Sequence, residues 1–432
     1  MQFLLSHRRY PVLLVITLLA GCGGSGTTPP RPPADVRVTA QLDRAVEGVH
    51  PASGFIHSLT ATVPPDPLVA PLRPRLWRSD LRRAPPARVS QLGARYEVVL
   101  SDLWGYPLDN WRGRGPPWRD LRAWGRFVRG IARSQRATGL ALAARGRPLF
   151  WDVWNEPNTS EYFDGGRRRF MRVYAVAARA LRAELGPGTL IGGPSTNVYG
   201  RGWLDAVVRC CNPSFVSWHE NLDPATPIST IADHLRDARA GPAREREIHV
   251  NESVGVGDQY RPGEILGYLA ALERGADYAA RSCWSEANCR PEALDGLLAP
   301  DGKPRSAWWA YRWYAAGEGA RVESHTKDPR VAVLASGGDH PAVLIGRVDR
   351  EAGPPIDVEV VARAVDLDEA RATVERLPDS GEGALAVPER LSSKDVDITD
   401  GEARVRIRGL RAHEAARGIG LHPSHAHRPA PP

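Results

Sequence analysis

The sequence predicts an α/β fold, a (β/α)8 TIM barrel followed by a small C-terminal β-sandwich. Three observations predict it. Between residues 54 and 316, short apolar runs alternate with stretches of helical period, the pattern of parallel strands joined by covering helices. Eight such runs follow one another from Gly54, enough to close a barrel. Beyond about residue 318 the helical period is gone, and short β-rich runs follow with Gly, Pro and Asp between them. An open doubly wound sheet would carry a glycine-rich phosphate loop after an early strand, and the sequence has none there.

Taken in order, the chain opens on a targeting segment, residues 1–22. His7-Arg8-Arg9 is a basic region, and residues 12–19 form an apolar core too short to span a bilayer. Leu19-Ala20-Gly21-Cys22 comes next and resembles the lipobox of bacterial lipoproteins. The resemblance implies cleavage before Cys22, lipidation of that cysteine and an exported protein anchored to the cell envelope. Residues 23–34, rich in Gly, Ser, Thr and Pro, read as a flexible tether.

The barrel is expected within residues 35–318. Residues 36–42 alternate like an edge strand and are open to pairing with the C-terminal module. The barrel strands are expected at 54–59, 75–78, 96–100, 149–154, 190–194, 214–219, 247–252 and 279–284. Helical stripes lie between them, for instance Leu121, Trp124, Val128 and Ile131, then Phe170, Val173, Ala177 and Leu181 with Gly186-Pro187 as the stop. Ser229 is a candidate cap for a helix to residue 238, and further helices are expected over 264–274 and 307–316. A long loop rich in Trp, Gly and Pro, residues 101–118, follows the third strand, where barrel enzymes build their clefts. The sandwich is expected over residues 319–420, with strands at 331–334, 343–348, 358–365, 372–377 and 403–407. Residues 421–432, rich in Pro and His, read as a disordered tail.

The net charge of +7 in 432 residues comes almost wholly from scattered arginine, with Lys303, Lys327 and Lys394 the only lysines. No basic block with interleaved aromatics is present, so no nucleic-acid partner is expected. Apart from Cys22 there are four cysteines, Cys210, Cys211, Cys283 and Cys289. In an exported chain they permit disulfides in three connectivities, of which Cys283–Cys289 is the most local. The adjacent pair lacks metal-ligand spacing, and no metal or cofactor is expected.

The chemistry centres on Trp151-Asp152-Val153-Trp154-Asn155-Glu156-Pro157-Asn158. An apolar run ends abruptly in Asn-Glu-Pro, as a buried parallel strand would when it delivers a carboxylate to the rim of a barrel. Pro157 is expected to stop the ladder and hold Glu156 extended. A second strand, residues 247–252, also ends in a carboxylate, Glu252, 96 residues further on. Three βα units of roughly 30 residues each cover that interval, which puts Glu156 after strand four and Glu252 after strand seven, on one rim. Two carboxylates facing one cleft are what glycosidic hydrolysis needs. Glu220 and Glu286, each also following a strand, are rivals for the second position.

The Trp-Asn-Glu-Pro-Asn string resembles the acid/base strand of clan A glycoside hydrolases, most of all family 39. The resemblance implies a retaining glycosidase with Glu156 as acid/base and Glu252 as nucleophile. It also implies that Asn155 holds the sugar hydroxyl beside the anomeric carbon and that His219 contacts the sugar or the nucleophile. Where the family more often continues with a tyrosine after that histidine, this chain has Glu220-Asn221. Arg78, ending strand two, is placed to keep the nucleophile ionised. His57 after strand one reads equally as a rim residue or a core histidine. Trp284 on strand eight and Trp104, Tyr106, Trp111 and Trp118 in the long loop are candidate sugar-stacking platforms, with core packing as the alternative for each. The expected partner is an extracellular polysaccharide or its fragments. The competing reading is a carbohydrate-binding envelope lipoprotein without turnover.

Overall fold

The computed structural model describes residues 33–46, 50–57, 59–81, 84–100, 116–317, 320–338, 340–349, 351, 353–367 and 369–423. The first strand, β1 (Val36–Ala45), belongs to the C-terminal sheet. The barrel then runs β2 (Gly54–Ile56), α1 (Asp66–Val69), β3 (Leu76–Ser79), α2 (Pro86–Gln91), β4 (Arg95–Val99), α3 (Leu121–Ala143), β5 (Phe150–Asp152), α4 (Gly166–Leu185) and β6 (Leu190–Thr196). It continues with α5 (Arg201–Cys211), β7 (Phe215–Glu220), α6 (Thr230–Arg239), β8 (Glu247–Ser253), α7 (Pro262–Leu272), β9 (Tyr278–Arg281) and α8 (Ser306–Ala316). Strands β2 to β9 pair in sequence order and parallel throughout. The Ala279 N–H donates to Pro51 O at 2.7 Å, bringing β9 back to the segment that leads into β2.

Period-two alternation sorts the strand residues between two cores. Trp77, Tyr96, Trp151, Ile191 and Val216 point outward and pack with Val128, Val173, Ala177 and Ile231 from the helices. Leu76, Phe150, Phe215 and Ala280 gather with Ile56 in a separate inner cluster. The helices form because their stripes fit this outer surface. In α3 the buried face is Trp124, Val128, Ala132 and Leu142, and Asp120 caps it by accepting from the Ala123 N–H at 2.8 Å. Helix α4 stops at Gly186, whose φ of 98° suits glycine.

The C-terminal module corrects the expectation of a sandwich. It comprises β10 (Arg321–Thr326), β11 (Val331–Ser336), β12 (Ala342–Arg347), β13 (Ile356–Arg363), β14 (Glu369–Leu377), β15 (Glu389–Thr399), β16 (Glu402–Leu410) and β17 (Ala415–Pro423). With β1 these strands form a closed nine-stranded barrel in the order β1-β10-β11-β12-β17-β14-β15-β16-β13. The reason is β1, which pairs antiparallel with β10 and parallel with β13 and so removes both open edges. Its lumen is filled by small and branched side chains such as Val38, Ala40, Val343, Ile345, Val358, Val360 and Ile407. Strand β17 extends to Pro423, so the first residues of the expected tail are ordered ladder, and residues 424–432 lie outside the described residues.

The two barrels are in contact through α7, which is buried nearly all round. A Cβ on Gly263 would lie 2.3 Å from Arg347 O and 2.6 Å from Glu414 O, so only glycine permits this approach. Arg321 donates to Glu273 at 3.0 Å, and the Trp309 indole donates to Leu385 O at 2.9 Å across the same junction.

Candidate active site

Glu156 leaves β5 through a short loop. Its backbone differs from the expectation: φ is +48°, left-handed and not extended. Its N–H donates to Ser195 O at 2.8 Å, and its C=O accepts from the Thr159 N–H and hydroxyl at 3.1 and 3.0 Å. These bonds hold Glu156 in an uncommon conformation for a non-glycine residue, of the kind that gathers at functional sites. Glu252 sits next to last in β8, where the ladder with β7 shifts register so that it pairs with His219.

His219 bridges the two carboxylates. Its Nδ1 lies 2.9 Å from Glu156 Oε1, and its Nε2 lies 3.8 Å from Glu252 Oε1. One donor atom from each of the three falls within 4.8 Å of the others. His219 is fully buried, whereas each carboxylate keeps about a sixth of its side chain exposed, at 16% and 15%. The acids therefore face the cleft and the imidazole stands behind them. One imidazole nitrogen and two carboxylates also meet the donor requirements of a metal ion. The positive charge beside Glu252 Oε1 is, however, already supplied at 2.9 Å by Arg78.

Arg78 ends up as the hub. Its Nη1 donates to Glu252 Oε1 at 2.9 Å, and its Nη2 donates to Asp152 Oδ2 and Asn155 Oδ1, both at 2.8 Å. Its Nε reaches Asp152 Oδ2 at 3.1 Å and lies 3.4 Å from Glu97 Oε1. The guanidinium is completely buried. Burial works against its charge, but Asp152, Glu252 and Glu97 outweigh it and hold the proton more firmly than usual. Asn155 is oriented by the same fork.

Behind Arg78 the lumen is polar. Asn251 Nδ2 donates to Glu97 Oε1 at 2.7 Å and to Ser195 Oγ at 2.8 Å, and His249 Nδ1 lies 2.6 Å from Glu97 Oε2. A bond from β8 to β4 crosses the barrel and is possible only through its interior. Burial pushes the Asp152 carboxyl up to about 6, with Glu97 reinforcing the rise and Arg78 opposing it. Burial also opposes charge on Glu97 and on His249, yet the bond to His249 and the charge of Arg78 win at Glu97, which is depressed, and the bonds to Glu247 and Glu97 win at His249, which is raised.

The cleft has a volume of about 360 Å³ and includes His57, Asn155, Glu156, Tyr162, Glu252 and Trp284 in its lining. His57, nearly buried, thus stands at the rim. Trp284 is 36% exposed, with its indole N–H given to Val254 O at 2.8 Å. Of the loop aromatics, Trp118 packs on Phe163 with ring centroids 4.2 Å apart, which is the packing role. Trp104, Tyr106 and Trp111 lie outside the described residues, as does Cys22. Neither rival acid competes with Glu252. Glu220 is buried and taken by the Trp218 indole at 2.5 Å and His234 at 2.9 Å. Glu286 is largely exposed and pairs with Arg290 at 3.0 Å.

Residues not singled out from the sequence complete the site: Glu97, Asp152, Asn251 and His249 in the lumen, and Tyr162 in the cleft. A signal for the lumen set was available. Each polar residue sits two positions from an inward apolar or polar partner on a buried strand, as Asp152 does from Phe150 and Asn251 from His249. Asn221 Nδ2 reaches Glu252 Oε2 at 3.4 Å.

No family model matches the chain, and no curated protein does. Solved structures do. A protein from Neocallimastix frontalis is 21% identical with a TM-score of 0.73, covering 89% of this chain and 98% of its own. A family 39 glycoside hydrolase from Xanthomonas axonopodis pv. citri is 17% identical with a TM-score of 0.66, covering 90% and 97%. A monomeric β-xylosidase from Caulobacter crescentus gives 17% and 0.66 over 90% and 99%. Both domains are spanned in each case, and the chain has the fold of clan A glycosidases of the family 39 type.

Proposed function

We propose that this protein is a retaining glycoside hydrolase that cleaves extracellular polysaccharide or its oligosaccharides. The observation that carries the reading is the carboxylate pair: Glu156 and Glu252, from strands four and seven of one barrel, bring oxygens within 4.8 Å of each other. Retaining enzymes hold their two carboxyl groups about 5–5.5 Å apart, and inverting ones leave room for a water at about 6.5–9.5 Å.

In the proposed double displacement, a Glu252 oxygen attacks the anomeric carbon while Glu156 gives its proton to the departing glycosidic oxygen. Arg78, whose Nη1 donates to Glu252 Oε1 at 2.9 Å, keeps that carboxylate aimed. Glu156, now ionised, accepts the Nδ1–H of His219, then takes a proton from water as that water attacks the same carbon and frees Glu252. Asn155, Trp284 and His57 line the sugar's position. The leader implies export and attachment through Cys22, which Cys22→Ser would abolish along with incorporation of labelled fatty acid.

A panel of nitrophenyl glycosides and cell-surface polysaccharides identifies the sugar. On a substrate that is turned over, Glu156→Ala lowers kcat about 10²–10⁴-fold, with azide restoring turnover. A 2-fluoro glycoside should label Glu252. Label on any other residue, or full turnover by Glu252→Gln, overturns the assignment.

A further inference from the structure

One wall of the cleft is a loop that follows β9, and it is closed on itself by a disulfide. Cys283 and Cys289 are bonded, with Cα atoms 5.3 Å apart. Both half-buried cysteines line the cleft together with Trp284, Ser285 and Glu286. Within the ring the Cys289 N–H donates to Ser285 O at 2.9 Å, and the Asn288 N–H to Ser285 Oγ at 3.1 Å. Asn288 Nδ2 also donates to Gln259 Oε1 at 2.9 Å and Tyr260 Oη at 2.7 Å, which anchors the far end. The near end is Trp284. Its indole N–H meets the carbonyl of Val254, a buried β-branched residue held at φ +76° only two positions beyond Glu252. Just before the ring, Ser282 N–H donates to Ser253 O at 2.8 Å and its hydroxyl to Asn221 Oδ1 at 2.5 Å.

Two sets of ties are therefore separate. Those that reach Glu252, through Ser282, Ser253 and Asn221, lie outside the ring and rest on the β7, β8 and β9 ladders. The stretch that presents Trp284 to the cleft has no ladder, and the disulfide is the covalent bond that shortens it. We propose that Cys283 and Cys289 are positioning residues for the substrate: their disulfide holds the Trp284 face against the cleft, so that opening it weakens sugar binding and leaves bond cleavage at Glu156 and Glu252 intact. The proposal rests on the glycosidase reading. Opening is a two-electron, two-proton reduction by a dithiol, which gives two cysteine thiols and the oxidised dithiol.

The test is steady-state kinetics on Cys283→Ser/Cys289→Ser and on wild type with and without a dithiol reductant. Because Cys210–Cys211 is also a disulfide, Cys210→Ser/Cys211→Ser serves as the control. Restoring freedom to a binding loop raises KM about 2- to 10-fold, with kcat within about twofold of wild type. The control variant behaves as wild type when oxidised and shows the same KM rise when reduced. In a Trp284→Ala background, opening the ring adds no further rise. An unchanged KM, a fall in kcat alone, or a full additional rise in the Trp284→Ala background overturns the proposal. Should the double variant not fold, reduction of the folded control makes the same measurement. If oxidised wild type cleaves no glycoside, the glycosidase reading fails instead. The clamp is then read from acrylamide quenching as the difference between wild type and Trp284→Phe. Greater quenching of Trp284 on reduction supports it, and no change refutes it.

Discussion

Replacing Arg78 tests the site at its hub. Arg78→Met removes the guanidinium that faces Glu97, Asp152 and Glu252 together, at 3.4, 2.8 and 2.9 Å. Breaking a buried ion pair from one side costs about 3–5 kcal/mol, and here two of the stranded partners, Glu97 and Asp152, are fully buried carboxylates. At roughly 1–2 °C per kcal/mol for a chain of this length, since the unfolding entropy grows with the number of residues, the melting temperature should fall by on the order of 5 °C. Arg78→Lys is the sharper variant, because it keeps the charge and loses the fork. An ammonium reaching Asp152 cannot also hold Asn155 and Glu252. Two charge-assisted bonds at about 1.5–3 kcal/mol each are then missing at Glu252 and Asn155, the nucleophile and the sugar-hydroxyl ligand of the proposed mechanism. We expect kcat/KM to fall at least about 10²-fold with a smaller loss of stability. The assay is kcat/KM on a nitrophenyl glycoside that wild type cleaves, with thermal melts alongside. Wild-type kcat/KM in a folded Arg78→Lys variant would refute the reasoning.

Two further predictions concern the lumen and the domain junction. The Asp152 carboxyl, at about 6 in the folded protein against about 3.9 unfolded, binds its proton more tightly when folded. Its contribution to stability is thus complete below about pH 4 and is lost as the pH rises through about 6. Asp152→Asn cannot lose that proton, so melts between pH 4 and 7 should show wild type losing stability relative to the variant as the pH rises. A constant difference would mean that the carboxyl titrates normally. Gly263→Ala puts a methyl into the carbonyls of Arg347 and Glu414 and should cost about 1–3 kcal/mol or more by overpacking. Because α7 lies at the junction and away from the cleft lining, kcat of the folded enzyme at 25 °C should be unchanged. A melt equal to wild type would show that the two barrels separate more easily than their packing suggests.

Much of the catalytic barrel was legible because parallel strands buried on both faces are written locally. Each of the eight expected runs contains or overlaps one of the strands β2 to β9. The helical stripes mark α3, α4, α6, α7 and α8 in the same way. In the C-terminal module the expected runs mark β11, β12, β13, β14 and β16, but not every strand there carries such a mark. Strand β15 buries little beyond Val396, and β10 has a single apolar residue, Val322, so neither alternates visibly. The sandwich expectation failed for a different reason. Alternating strands look alike in a sandwich and a barrel, and the difference lies in whether the edges find a partner. That partner is β1, some 280 residues before β10: its alternation marked it as an edge strand open to pairing with the module, as it does, but no local pattern records that it closes both edges.

The site divides along the same line. The sequence by itself determined that a carboxylate follows Trp-Asn and precedes Pro, and that a second lies three βα units on, because strand ends and repeat lengths are properties of contiguous residues. It also marked Arg78, Asn155, His219 and Trp284 as candidates. Only the tertiary structure decided that His219 stands between the acids, that Glu156 is held left-handed by Ser195, and that Arg78 faces Glu97, Asp152 and Glu252 together. Those are relations between strands that meet only when the barrel closes. A charge with three carboxylates around it in the interior of a sheet is a fact of closure, and the chain's order cannot express it.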